Sequence, residues 1–128
     1  MTFKPENYNS LSAYLVVDGA QKLANQLITV FDAQELRRYE FPNGKIAHME
    51  LQIDDSVLML ADGNEKYPGT PAILHLYVPD VHSTFTKAIE NGCTKVSAPT
   101  EREGDPDIRG TFTDCAGNFW SVSTQKPH

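Results

Sequence analysis

The feature that most constrains this chain is an internal repeat. Ala13-Tyr14-Leu15-Val16-Val17 precedes one amphipathic segment, and Leu74-His75-Leu76-Tyr77-Val78 precedes another. Each segment is followed by one β-rich stretch and then a hairpin-linked pair. Written in order, the elements are β-α-β-β-β twice, and a repeat of this kind fixes architecture more firmly than any single residue preference. It predicts an α+β fold of two βαβββ modules, module one over 8–63 and module two over 71–126, in a single domain spanning 1–128. A module of this kind has one helix and a sheet with two faces. The helix covers one face, and closing two such curved sheets around a shared cleft covers the other.

The helices are read from periodicity. Ala20, Leu23, Ala24, Leu27, Ile28 and Phe31 recur at helical spacing in the first, with Asp18 or Gly19 at its start. Val81, Phe85, Ala88 and Ile89 make the stripe of the second, between the N-cap Asp80 and the stop Asn91-Gly92. Strands are expected at 11–17, 35–41, 45–53, 56–62, 72–78, 94–98, 108–113 and 118–125. Pro42-Asn43-Gly44, Asp54-Asp55 and Asp114 to Asn118 supply the hairpin turns. The segment 63–71, with two glycines and two prolines, is the linker between modules. The polar run 100–107 is a solvated turn or a lid.

Composition excludes several classes of partner. The net charge is -6, and Arg37-Arg38 is the only adjacent basic pair, so nucleic acid and anionic membranes are not expected partners. No apolar run approaches membrane-spanning length, and the residues from Met1 to Glu6 do not read as a signal peptide, which gives a cytoplasmic expectation. Cys93 and Cys115 form no metal motif and are read as free thiols.

Taken together, four segments resemble the glyoxalase, bleomycin-resistance and extradiol-dioxygenase group, the vicinal oxygen chelate superfamily. They are Tyr14 to Ala20, His48-Met49-Glu50-Leu51, Val57 to Asp62 and His75 to Val81, with Asp114, Gly117, Asn118 and Trp120 in the closing hairpin. Cys115 stands where that group usually has Pro. The resemblance implies paired βαβββ modules, commonly a homodimer, and a cleft where catalytic members hold a divalent metal on His, Glu or Gln side chains. Carried onto this sequence, those ligand positions fall on Ser12, Met59, Ile73 and Ser121. Two hydroxyls, a thioether and an alkyl group do not replace the water shell of such an ion. The usual metal site is therefore expected to be absent, with no cofactor. A displaced site would need His48, Glu50 and His75 to converge, two imidazoles and a carboxylate.

Strand alternation gives the expected cleft lining. Ala47, Met49, Leu51 and Ile53 should face the helix, leaving His48, Glu50 and Gln52 on the other side. Tyr14, Val16, Met59, His75, Tyr77, Phe119, Ser121 and Ser123 join them, while Trp120 belongs to the core. Aromatic walls with a few polar groups suit a small molecule. His48 and His75 can move protons, and Arg109 can hold an anion or lie as a surface residue beside the acidic loop. The expected function is metal-free small-molecule binding. The alternative is lyase, isomerase or dioxygenase-type chemistry, through a displaced metal or a His/Glu acid–base site. A third reading, an interaction module, finds no exposed apolar run to support it.

Overall fold

The computed structural model describes residues 2–127 and shows two compact units, which meet in sequence between Thr70 and Pro71. The first unit runs β1 (Tyr14–Val17), α1 (Ala20–Phe31), β2 (Gln34–Glu40), β3 (Ile46–Ile53) and β4 (Ser56–Asp62). The second runs β5 (Ile73–Tyr77), α2 (Val81–Glu90), β6 (Thr94–Glu101), β7 (Asp107–Thr113) and β8 (Phe119–Gln125). Each is a four-stranded mixed sheet, ordered β1-β4-β3-β2 and β5-β8-β7-β6. The first and last strands of a unit pair in parallel, and the other pairs are antiparallel. The predicted βαβββ repeat is therefore the observed one. No helix among the described residues is long and apolar enough to cross a membrane.

The registers of the two sheets match across the first, fourth and third strands of each unit and diverge at the outer pair, where the bulges differ. Tyr14 lies opposite Met59 in the first unit, and His75 lies opposite Ser121 in the second. Across the next strand, Glu50 faces Met59 and Thr111 faces Ser121. One residue earlier on each third strand come Met49 and Gly110, and one earlier again come His48 and Arg109. The duplicated backbone thus carries different side chains at equivalent places.

Each helix covers one sheet face. Leu23, Leu27 and Val30 of α1 are buried with Leu15, Met49, Leu51 and Leu60 of the sheet. Each such side chain contributes roughly 1.5–3 kcal/mol of burial free energy, so this face dominates the stability of the unit. In the second unit Val81, Phe85 and Ala88 pack over Phe112, Trp120 and Val122, with Phe85 edge-on to Phe112 at 6.0 Å. Trp120 is buried as predicted, at 2% exposure. Three stripe residues differ from expectation: Ile28 and Phe31 are half-buried, with Val30 buried in their stead, and Ile89 is exposed.

The helix starts show how the last strand of each unit is locked in place. Gly19 caps α1 with φ 87° and offers no side chain. Asp62, at the end of β4, supplies the missing acceptor: its Oδ1 takes the N–H groups of Gly19 and Ala20, and its Oδ2 takes that of Ile46. The start of α1 is thereby stitched to β3 and β4. In α2 the predicted cap Asp80 accepts from His82 and Ser83, and Thr124 of β8 accepts from Val81 N–H while donating to the carbonyl of Val78.

Beyond one-residue shifts at other strand ends, three points differ from the sequence reading. β1 begins at Tyr14, so Ser12 precedes the strand. β6 runs on to Glu101 and β7 begins at Asp107, which shortens the polar loop to a tight turn. A register shift between Tyr39 and Glu40 puts Ile46, and not Ala47, into the core at 1% exposure.

Candidate functional site

In each unit the sheet face opposite the helix carries the polar and aromatic residues. On the first unit this face centres on Glu50, which is 4% exposed yet charged by nature. Its oxygens are fully used: Oε1 accepts from the Tyr8 hydroxyl and lies 3.8 Å from Arg37 Nε, while Oε2 is 2.8 Å from His48 Nε2. Burial pushes the carboxyl up. The hydrogen bonds from His48 and Tyr8, with the nearby charges of His48 and Arg37, outweigh burial and hold it below the ordinary range. The Tyr8 hydroxyl, donating to that carboxylate, is pushed up. Arg37 also lies over the Tyr8 ring at 5.3 Å.

His48 is the second layer of this arrangement. Its Nδ1 is 3.3 Å from the Tyr14 hydroxyl, and its ring sits 5.6 Å from the Tyr14 ring and 6.2 Å from that of Tyr39. Tyr14 and Tyr39 are 50% and 59% exposed. Met59 lies beside them between Tyr14 and Glu50 in the ladder. The sequence reading listed Tyr14, His48, Glu50 and Met59, and the structure brings these together. It missed Tyr8, Arg37 and Tyr39. Counting back from the Asn43-Gly44 turn would have placed Tyr39 opposite Ala47, and only the register shift between Tyr39 and Glu40 brings it opposite His48. Nothing local in sequence announces Tyr8.

On the second unit, His75 Nε2 is 3.1 Å from the Ser123 hydroxyl and its ring meets Tyr77 edge-on at 4.7 Å. The Tyr77 hydroxyl donates to Asp107 at 2.8 Å. Arg109 reaches Asp107 at 3.5 Å, Asp105 at 3.6 Å and the Ser121 hydroxyl at 3.5 Å. Burial, then the charge of Arg109, lowers His75 below its usual value. The hydrogen bond to Asp107 raises Tyr77. The predicted residues His75, Tyr77, Arg109, Ser121 and Ser123 therefore form one cluster, with Asp105 and Asp107 added by the structure. Ser123 itself is buried. Phe119 is half-buried at the other end of β8, opposite Ile73.

These donors do not fit the divalent ion of the superfamily's catalytic members. Met59 and Ser121 have Tyr14 and His75 as their ladder neighbours, while Ile73 offers no donor atom. The Arg109 guanidinium stands against the Ser121 hydroxyl and repels a cation. His48 and Glu50 spend their facing atoms on each other. Among the described residues no group of three His, Cys, Asp or Glu is placed to hold a metal ion.

The Cys93 thiol is buried and pushed up to about 12, chiefly by burial, which makes it a poor nucleophile. The Asp114 pattern turns out to be structural. Its Oδ1 accepts from Ala116 N–H and Asn118 N–H, and its Oδ2 accepts from Asn118 Nδ2 and from the Trp120 indole at 2.8 Å. Asn118 in turn accepts from Ala72 N–H, which fastens the hairpin to the approach to β5.

Comparison with known proteins agrees with this architecture. No family model matches the sequence. The uncharacterised protein Mb0911c of Mycobacterium bovis is 36% identical over 124 residues, covering 88% of this chain and 81% of that protein. The uncharacterised protein Rv0887c of Mycobacterium tuberculosis is also 36% identical, covering 88% and 72%. Among solved structures, TioX from Micromonospora sp. ML1 aligns with a TM-score of 0.77 at 19% identity, over 92% of this chain and 99% of TioX. TnmS3, an antibiotic-binding protein from Streptomyces sp. CB03234, aligns at 0.73 and 16%, over 96% and 100%. A glyoxalase/bleomycin resistance protein/dioxygenase family enzyme from Burkholderia phytofirmans PsJN aligns at 0.73 and 17%, over 90% and 97%. The chain thus belongs to one family with the mycobacterial proteins, and it has the fold of TioX, TnmS3 and the glyoxalase/bleomycin resistance protein/dioxygenase family enzyme.

Proposed function

We propose that this chain is a metal-free small-molecule-binding protein that takes its ligand on the sheet face opposite the helix, the face of Tyr14, His48 and Met59 in the first unit or that of Tyr77 and Arg109 in the second. The observation that carries this reading is the contrast between the two faces of each sheet. One is apolar and sealed by a helix. The other presents aromatic rings above a buried or half-buried layer of paired charge, Glu50 in the first unit and Asp107 in the second. Exposed rings supply contact area, and oriented polar atoms supply selectivity. The antibiotic-binding description of TnmS3, on the same fold, supports it. His75, Phe119 and Ser121 belong to the proposed face of the second unit. The proposed working form is a homodimer in the cytoplasm, which light scattering on the purified protein checks for the dimer.

The test is a thermal-shift screen of planar aromatic compounds followed by calorimetric titration. A compound with saturable heat should lose affinity at least about tenfold, roughly 1.4 kcal/mol, on Tyr14→Ala or Tyr77→Ala, and should be indifferent to a chelator. A compound that both substitutions leave unaffected, or that chelation releases, contradicts the proposal. The Glu50–His48 pair also favours a second reading, acid–base catalysis without a metal. That reading requires turnover abolished by His48→Gln.

A further inference from the structure

His48 is held firmly at one nitrogen and loosely at the other. A carboxylate below its ordinary pKa only accepts hydrogen bonds, so the proton in the 2.8 Å contact with Glu50 belongs to His48 Nε2. In the neutral ring Nδ1 then keeps a lone pair. Its partner is the Tyr14 hydroxyl at 3.3 Å, long for an O–H donor and therefore weak. The imidazole ring has the exposed rings of Tyr14 and Tyr39 as neighbours, with centroids at 5.6 and 6.2 Å. A side chain oriented by a carboxylate at one nitrogen, with a base on the accessible side, is arranged to receive a proton.

We propose that His48 Nδ1 is a proton-accepting subsite for planar, weakly acidic O–H ligands, phenols or enols, which displace the Tyr14 hydroxyl and bind as anions. This rests on the ligand-binding reading of the same face. In the step, the ligand's O–H bond breaks and an Nδ1–H bond forms, so a neutral pair becomes a phenolate or enolate against an imidazolium. Glu50, in contact with the far nitrogen, stabilises that imidazolium. The other titratable and charged groups facing His48 or its carboxylate are Tyr14 from β1, Arg37 and Tyr39 from β2, and Tyr8 from the N-terminal segment; β4 contributes only the uncharged Met59. Arg37 opposes the new charge, but its contact is with Glu50 Oε1, on the side away from His48. The tyrosine rings lie where they can cover a flat ligand.

The experiment compares 4-nitrophenol, whose anion alone is yellow, with 4-nitroanisole, which has the same ring and no acidic proton. Both are titrated into the wild-type chain and into His48→Gln, whose amide keeps a donor for Glu50 but cannot take a proton. Expected are calorimetric binding of the phenol at least about tenfold tighter than the anisole and a bound phenol that turns yellow about one pH unit lower than in water. In His48→Gln the preference for the phenol over the anisole and the colour shift should both vanish. Equal affinity of the wild type for both compounds, or a colour shift that survives His48→Gln, overturns the proton transfer and leaves the binding reading standing. Saturable binding of neither compound to the wild type overturns both.

Discussion

Replacing Asp114 with Asn tests how the second unit holds its closing hairpin. The substitution keeps the size of the side chain and removes one acceptor atom. Asp114 Oδ2 now takes two donors, Asn118 Nδ2 at 3.0 Å and Trp120 Nε1 at 2.8 Å. An amide nitrogen there would face two donors with two more. Flipping the amide does not help, because Oδ1 takes the backbone N–H groups of Ala116 and Asn118. Either orientation therefore forfeits two hydrogen bonds to a buried charged group, each contributing roughly 1.5–3 kcal/mol. Allowing for relaxation at the half-buried turn, the loss should be about 3 kcal/mol, a large share of the ~5–15 kcal/mol available to a domain. Guanidinium unfolding followed by tryptophan fluorescence reads this directly, because Trp120 is the chain's single tryptophan. A loss below ~1 kcal/mol, the value of one ordinary hydrogen bond, would refute the account of the network.

Three further outcomes follow from the same kind of reasoning. Glu50 titrates in the folded protein below its reference value of 4.5, so the stability it contributes is complete above pH 4.5 and is lost as the pH falls through the folded value. Denaturation midpoints should fall with acid in that window for the wild type and fall less for Glu50→Gln; equal slopes would contradict the assignment. His75 titrates below 6.5 for reasons of burial and the Arg109 charge, so its contribution is present above pH 6.5 and declines as the pH drops toward the folded value. Arg109→Gln should raise the imidazole titration seen by NMR, and an unchanged value would remove Arg109 as a cause. Gly110→Ala would bring a methyl group within 3.1 Å of Pro99 and 3.2 Å of Phe85. Overpacking of this kind costs roughly 1–3 kcal/mol, offset in part by reduced freedom of the unfolded chain. A net loss near 1 kcal/mol in urea melts is expected, and a stabilised variant would show that Pro99 yields freely.

Much of the fold is legible in the residues because it depends on local periodicity. The stripe of α1, the alternation through Met49, Leu51 and Ile53, the Asn43-Gly44 turn and the core place of Trp120 all express one-sided burial. Polar edge strands are harder to read. β6, from Thr94 to Glu101, has no buried residue, so no alternation marks its end, and only its ladder with β7 defines it. The same holds for the register shift that buries Ile46, which arises from pairing with β2. The candidate face was half legible. Residues that alternate along a strand could be listed, but Tyr8 reaches Glu50 across 42 positions of sequence, and Asp62 caps a helix 42 positions before it. Such contacts exist only once the chain has folded.

The strand order has a consequence for synthesis. Among the described residues β1 pairs with β4 alone, and β5 with β8 alone. A chain leaving the ribosome therefore carries Tyr14–Val17 as an open edge until residues near Met59 emerge, and Ile73–Tyr77 waits in the same way for Phe119–Gln125. Until then Leu23 and Leu27 of α1 lack the strand that completes their cover. Long-range parallel pairing of this kind delays folding and leaves nascent intermediates open to aggregation. The first unit escapes that exposure while the second is still being made, so early truncations should be insoluble and a stop after Thr70 should be tolerated best.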